Sequence, residues 1–323
     1  MGVDGYIDLG HGHSMYYQVT GNTTESGVPL VIVHGGPGGS SNLSWGDFFN
    51  HSVFKLVYFD QRGCGKSTPF GTTENNTLDL LIEDMEKLRE HLKIEKWCLF
   101  GGSWGTTLSL SYGTRHPDRC MGFLLRGIFL ARENDMKFFL WDSQMLYRES
   151  HNYLLDVIEE CCGNRPSSYE QMLEYCGCCL HGKDDKAKVR LATTWSEYET
   201  VISAVSPIPE DPLTEDQKKQ LVSIGILEHY YMTTQLPPKP DLLTQISGSP
   251  IKNLPCWIVH GRLDLVCPAT QATELHGIWP GSKLAINDAS GHWTFEKANK
   301  EKLFEFASDM EQTFGKKTSD QTT

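Results

Sequence analysis

No apolar run in the chain approaches the roughly 18 residues needed to cross a bilayer. The longest near mid-chain, Cys120 to Ala131, is broken by Arg126. The N-terminus has neither a basic region nor an apolar core; it reads Met-Gly-Val-Asp-Gly-Tyr, with acid where a secretory leader carries base. A myristoyl signal wants Ser or Thr where Tyr6 stands. Secretion and a membrane partner are therefore not expected, and the cytoplasm is the expected compartment. Positive charge is also scarce, with 29 Lys and Arg against 41 Asp and Glu, a net −12. Such a surface repels phosphate backbones, so nucleic acid is not an expected partner. Ten cysteines are present, but their crowding at Cys161-Cys162 and Cys176-Gly-Cys178-Cys179 lacks the two matched pairs of a zinc site. Reduced thiols packed on helices are expected there. There is no internal repeat, and nothing in the sequence sets an oligomeric state.

What is there reads as one folded core with an insertion. Hydrophobic residues make up 39% of 323, enough to bury a core. Short apolar runs bounded by Gly, Pro and Asp occur at Leu30–Val33, Leu56–Phe59, Lys96–Phe100, Gly122–Leu125, Trp257–Val259 and Lys283–Ile286. Several lack alternation, as strands buried on both faces do. Leu78, Leu81, Ile82, Met85, Leu88 and Leu92 share one helical face behind a Thr77 cap. Alternating strands and helices predict an α/β fold with a mostly parallel sheet flanked by helices. From Arg132 to Pro250 the alternation stops, and the segment closes in loop signals at Pro207-Ile-Pro209, Pro212 and Leu236–Pro240. The expected organisation is a core over 1–131, a helical cap over 132–250 and the rest of the core over 251–323. A last helix with Leu303, Phe306, Ala307, Met310 and Phe314 on one face precedes a polar tail from Gly315.

Gly101-Gly-Ser-Trp-Gly105 lies between the run ending at Phe100 and a helical stretch ending before Pro117. This is the G-x-S-x-G turn that projects a nucleophilic serine, here Ser103, although a glycine-rich helix start without chemistry has the same letters. A serine needs a base, and the base an acid, in the order Ser, Asp, His. Asp264 follows the strand at Trp257–Val259, and His292 follows the strand at Lys283–Ile286. Asp60 and Asp288 are reserve acids; His34, His260 and His276 read as structural or surface residues. His34-Gly-Gly-Pro-Gly-Gly39 stands where the fold supplies an oxyanion donor, Gly36, and the other donor is the amide of Trp104. A phosphate loop is the competing reading, but the Gly-Lys-Ser/Thr ending is missing.

These blocks, with Asp60-Gln-Arg-Gly-Cys-Gly-Lys-Ser67, Arg126-Gly-Ile-Phe-Leu130, His260-Gly-Arg-Leu-Asp264, Val266-Cys-Pro268 and Gly291-His292, resemble the proline iminopeptidases of the α/β-hydrolase superfamily. The resemblance runs from near residue 30 to near 295 and is patchy between the core halves. It implies an α/β-hydrolase fold, release of N-terminal proline from short peptides with a free N-terminus, and no cofactor. It makes the Asp60 block a structural turn. It also implies carboxylates for the substrate ammonium: Glu199, in Trp195-Ser-Glu-Tyr-Glu199, and a second residue before His229-Tyr230. There the family glutamate aligns with Leu227, and Glu228 stands one place on, about 100° round a helix. Phe138 and Phe139 resemble the pocket aromatics.

The expected chemistry is attack by Ser103, with His292 as base and Asp264 fixing its tautomer. Activity is expected to rise through about pH 6–7 and to fall as a substrate ammonium with a pKa near 8 loses its proton. An esterase or amide hydrolase of other specificity, favoured by Leu227, and a non-catalytic ligand receptor on the same fold are the alternatives. A carboxylate-nucleophile halide or epoxide hydrolase is disfavoured by Ser103.

Overall fold

The computed structural model describes residues 2–208 and 212–315; Pro209 of the Pro-Ile-Pro signal and the tail beyond Gly315 lie outside the described residues. Along the chain run β1 (Val3–Gly10), β2 (His13–Gly21), β3 (Val28–Val33), β4 (Phe54–Phe59), α1 (Leu78–His91), β5 (Trp97–Ser103), α2 (Trp104–Arg115) and β6 (Cys120–Ile128). Helices follow: α3 (Glu133–Leu140), α4 (Arg148–Cys162), α5 (Tyr169–Leu180), α6 (Asp185–Ser203), α7 (Glu215–Thr234) and α8 (Leu242–Gly248). The chain then resumes alternation with β7 (Cys256–Gly261), α9 (Thr270–Ile278), β8 (Lys283–Asn287) and α10 (Lys297–Phe314).

The strands form one sheet in the order β1-β2-β4-β3-β5-β6-β7-β8. β2 runs antiparallel to both its neighbours, and every pair from β4 to β8 is parallel. The six apolar runs of the sequence are the six parallel strands. The antiparallel ribbon β1–β2 carries no such run, because β1 is an edge strand whose residues are mostly exposed and include Asp4 and Asp8. Edge strands with charged, water-facing residues do not read as core.

The absence of alternation in β3 to β7 has a direct cause: both faces are covered. Val31, Val33, Val57, Leu99, Leu125 and Ile258 point into one apolar cluster with Leu81, Met85, Leu88 and Leu108. Leu30, Ile32, Leu56, Phe100, Leu124 and Val259 point into another with Leu303, Phe306 and Met310 of α10. Thr77 caps α1 by accepting the Leu80 amide at 3.3 Å. Helices α4 to α7 pack on one another, whereas α8 packs on α2 and α9. Among the described residues no helix is long and apolar enough to cross a membrane.

Truncating Leu99, fully buried in the central strand, leaves a cavity between sheet and helices; Leu99→Ala is expected to cost about 2–5 kcal/mol. Val3→Ala on the exposed edge strand should stay within about 0.5 kcal/mol. Urea unfolding midpoints followed by circular dichroism check both.

Candidate active site

β5 ends in a turn so tight that only glycine fits beside it. A Cβ on Gly101 would lie 2.5 Å from the Gly105 carbonyl oxygen, and one on Gly105 would lie 2.2 Å from the Val33 oxygen. The intervening Ser103 has φ +56° and ψ −128°, a conformation that costs an L-residue of order 1–3 kcal/mol. Held there, Ser103 caps the N-terminus of α2 without using its hydroxyl. The glycine loop after β3 lies against it: a Cβ on Gly35 would be 3.5 Å from the Ser103 Cβ. Gly36, at φ +117°, donates its amide to no acceptor among the described residues. A rigid chain of hydrogen bonds joins the two loops. The Gln61 amide donates to His34 Nε2 at 3.0 Å, Gln61 Nε2 donates to the His34 carbonyl at 2.9 Å, and Trp104 Nε1 donates to Gln61 Oε1 at 2.8 Å.

The loops after β7 and β8 bring Asp264 and His292 together. Asp264 Oδ2 accepts from His292 Nδ1 at 2.7 Å, while Oδ1 accepts the amides of Val266 at 3.0 Å and Cys267 at 2.7 Å. Burial would raise this carboxyl, but the charge of His292 and hydrogen bonds from His260 and His292 outweigh it and hold it well below the usual carboxylate range. For His292, burial is the largest influence and lowers its pKa from 6.5 against the opposing pull of Asp264; the nearby Arg126 charge lowers it further. With Nδ1–H committed to Asp264, Nε2 is left as an acceptor; it meets Arg126 Nη1 at 3.4 Å, and among the described residues no hydrogen bond joins it to the Ser103 hydroxyl. The loop is pinned from below: Asn299 Nδ2 donates to the carbonyls of Gly291 and Trp293, both at 3.1 Å, and Glu296 accepts the Gly291 amide at 2.5 Å. Glu296 also accepts the Val205 amide at 2.8 Å, and the Trp293 amide donates to the Ser203 carbonyl at 2.9 Å, so the end of α6 grips the same loop.

The other candidates fall elsewhere. Asp60 accepts from Ser41 and Lys66 and braces loops, and Asp288 is exposed and paired with Arg262 at 3.1 Å; neither touches His292. His260 is buried, accepting the Ile128 amide through Nδ1 at 3.0 Å and donating to the Cys267 carbonyl at 2.7 Å. His34 is the hub of the hydrogen-bond chain above, and His276 pairs with Ser282. Phe139 is sealed in the main core, and its carbonyl accepts from Ser143, whose hydroxyl meets Tyr198 at 2.5 Å.

Arg126, in the sequence an interruption of an apolar run, belongs to the site. It stands on β6 beside the serine turn: a Cβ on Gly102 would be 2.2 Å from its Nε. Its Nη1 donates to the His292 carbonyl at 3.1 Å and faces Nε2 at 3.4 Å. A charged residue inside a buried strand is the signal that could have found it, since such a charge needs partners. Those partners are acidic. Burial lowers the Arg126 pKa, and Asp264 and Glu199 oppose that. Burial pushes Glu199 up to about 7, with Arg126 pulling the other way. Glu228 is 2% exposed, its Oε2 has no hydrogen-bond partner, and burial together with the charge of Glu199 pushes it well above the ordinary carboxyl value. Glu228 and Glu199 therefore share one pocket of charge even though Glu228 is displaced by one residue. Leu227 instead faces the glycine loop, where a Cβ on Gly38 would be 3.2 Å from its Cβ. Among the described residues, one group offers three metal-ligating atoms within 4.8 Å of one another, Asp264, Cys267 and His292, and two of these are already hydrogen-bonded together.

The packing around the turn makes a sharp expectation. Gly105→Ala forces a methyl against a backbone oxygen and is expected to cost about 1–3 kcal/mol or more. Gly277→Ala, in α9 with nothing within 4 Å of the added carbon, should be neutral or stabilising by up to about 1 kcal/mol. Thermal unfolding of the two variants compares them directly.

The profile of the alpha/beta hydrolase fold family matches residues 28–159. A proline iminopeptidase of Arabidopsis thaliana is 36% identical over 291 residues, covering 89% of this chain and 74% of that protein. One from Neisseria gonorrhoeae is 34% identical over 313 residues, covering 95% of each. Among solved structures, an alpha/beta fold family hydrolase from Bacillus anthracis superposes with a TM-score of 0.62 at 18% identity, covering 96% of this chain and 99% of that one, a likeness of fold. Identity at this level over nearly the whole length, together with the eight-stranded sheet and the serine turn at the end of β5, places this chain in the proline iminopeptidase family of α/β hydrolases.

Proposed function

We propose that this protein is a serine exopeptidase that releases N-terminal proline, or a similar small residue, from short peptides with a free N-terminus. The observation that carries the specificity is Glu228, a buried carboxyl with an unpartnered oxygen, in electrostatic contact with Glu199. An unsatisfied acceptor of this kind is costly unless a donor arrives, and a substrate ammonium is such a donor. Relatives named as proline iminopeptidases support the same substrate class.

In this reading Ser103 Oγ attacks the first peptide carbonyl and His292 Nε2 takes its proton. Asp264 keeps the proton on Nδ1 and stabilises the imidazolium. The amides of Gly36 and Trp104 hold the oxyanion, each worth about 2.7–4 kcal/mol in the transition state. His292 then gives its proton to the leaving amine, and water releases proline from the acyl-enzyme. Glu199 and Glu228 clamp the ammonium. The segment 132–250 acts as a cap, with α6 and α7 bringing the two carboxyls to the core.

Ser103→Ala is expected to lower kcat on the order of 10⁴- to 10⁶-fold with the fold unchanged. Glu228→Gln should raise KM for proline arylamide ten- to a hundredfold, the loss of about 1.5–3 kcal/mol from one charge-assisted hydrogen bond, and should leave turnover of an acetyl-proline ester nearly untouched. Equal turnover of free and acetylated proline arylamide by the wild type would contradict the exopeptidase reading while leaving a serine hydrolase.

The pH dependence separates the two machines. The His292 pKa is lowered, so neutral base is present below pH 6.5, and the acid limb of kcat/KM for a substrate lacking an amine should fall there. A free-amine substrate also needs ionised Glu199, so its acid limb should lie near 7, with a decline above about 8 as the ammonium deprotonates. Arg126→Met removes a charge that lowers both groups, and both acid limbs should move to higher pH. Profiles on the two substrate types, wild type against variant, measure this.

A further inference from the structure

The crowded cysteines take no part in the chemistry above, and the fold gathers them. Cys161 and Cys162 end α4, and Cys176, Cys178 and Cys179 ride the last two turns of α5, which crosses it. The Cys179 thiol is in side-chain contact with the thiols of both Cys161 and Cys162. Cys162 is already engaged, its Sγ donating to the Tyr175 carbonyl at 3.1 Å, whereas Cys161 has only a long 3.8 Å contact with the Ala187 carbonyl. Cys161 is half-buried and within reach of a small solute, and Cys179 is 7% exposed. A metal is the rival occupant of such a cluster, but a tetrahedral site needs its sulfurs mutually close. These thiols do not form a trio within 4.8 Å.

We propose that Cys161 and Cys179 are a reversible dithiol–disulfide pair that, when oxidised by hydrogen peroxide, staples α4 to the last turn of α5. The Cys161 thiolate attacks one peroxide oxygen, the O–O bond breaks, and the departing hydroxide takes a proton to become water, leaving a sulfenic acid. Cys179 sulfur then attacks Cys161 sulfur. The S–O bond breaks, and the leaving hydroxide takes the Cys179 proton as a second water. Two thiols have lost two electrons and two protons, and one peroxide has become two waters. An external dithiol reverses the step by exchange. Burial raises the thiol pKa values, that of Cys179 to about 12, so the thiolate fraction is small at neutral pH and the reaction is slow there.

The staple lands on a turn that supports α7. His181, just beyond α5, meets His229 Nδ1 through Nε2 at 3.0 Å, and His229 Nε2 meets the Leu173 carbonyl at 2.9 Å. A Cβ on Gly177 would lie 2.7 Å from the His229 ring.

The test is peptide mapping by mass spectrometry of the full chain after graded peroxide, without reduction. The expected product is a 2 Da loss and one linked peptide joining residues 161 and 179. It should be reversed by dithiothreitol, absent from Cys161→Ser and Cys179→Ser, and formed roughly tenfold faster per pH unit between 7 and 9. Retention of the link in Cys98→Ser, a buried core thiol, supports the assignment. A linkage at Cys162 or Cys178 instead, separate sulfinic acids with no linkage, or tight binding of one zinc ion that shields the cluster from peroxide would overturn it.

Discussion

The site depends on a place where no atom can be added. Gly101 and Gly105 are wedged against backbone oxygens from their own turn and from β3, and Ser103 between them is forced into a conformation it would not choose. The strain persists because the surrounding sheet and α2 are already close-packed on both faces, so the turn has nowhere to relax. The glycine loop after β3 follows from the same crowding. It lies so near that a methyl on Gly35 would meet the Ser103 Cβ, and Gln61 bonds it to Trp104. Trp104 packs in turn on Tyr231 of α7 at 4.9 Å between ring centroids, which carries the order of the turn outward to the helix that bears Glu228.

Electrostatics then divides the site into two circuits sharing one cation. Asp264 and His292 form a satisfied pair, with both oxygens of the acid accepting hydrogen bonds. Glu228, with an unpartnered oxygen, is held high by burial and by the charge of Glu199, which burial itself raises. Arg126 lies between them, bonded to the His292 loop on one side and attracted by Glu199 on the other. A buried cation with incomplete pairing is expensive, and its retention makes sense where neighbouring acids outnumber it.

Much of this was legible in the sequence, for identifiable reasons. The parallel strands announced themselves because burial on both faces leaves unbroken apolar runs, and the serine turn because its glycines are sterically compulsory. Asp264 and His292 were legible by chain order at strand ends. The ribbon β1–β2 was not, since its outer strand is wet and carries Asp4 and Asp8. Arg126 was visible as a letter but not as a participant, because its role is set by neighbours on other strands. Glu296 and Asn299 gave no signal at all: a carboxylate and an amide that hold backbone groups look like any polar pair at a helix start.

Those two residues tie the imidazole to an unexpected anchor. They sit at the beginning of α10, whose Leu303, Phe306 and Met310 dock on the far side of the sheet from the serine turn. The position of the His292 imidazole is thus inherited from how firmly the final helix seats under the sheet, and the same loop is gripped from above by the end of α6. Damage to the carboxy-terminal helix would therefore register first as a misplaced imidazole and only later as unfolding.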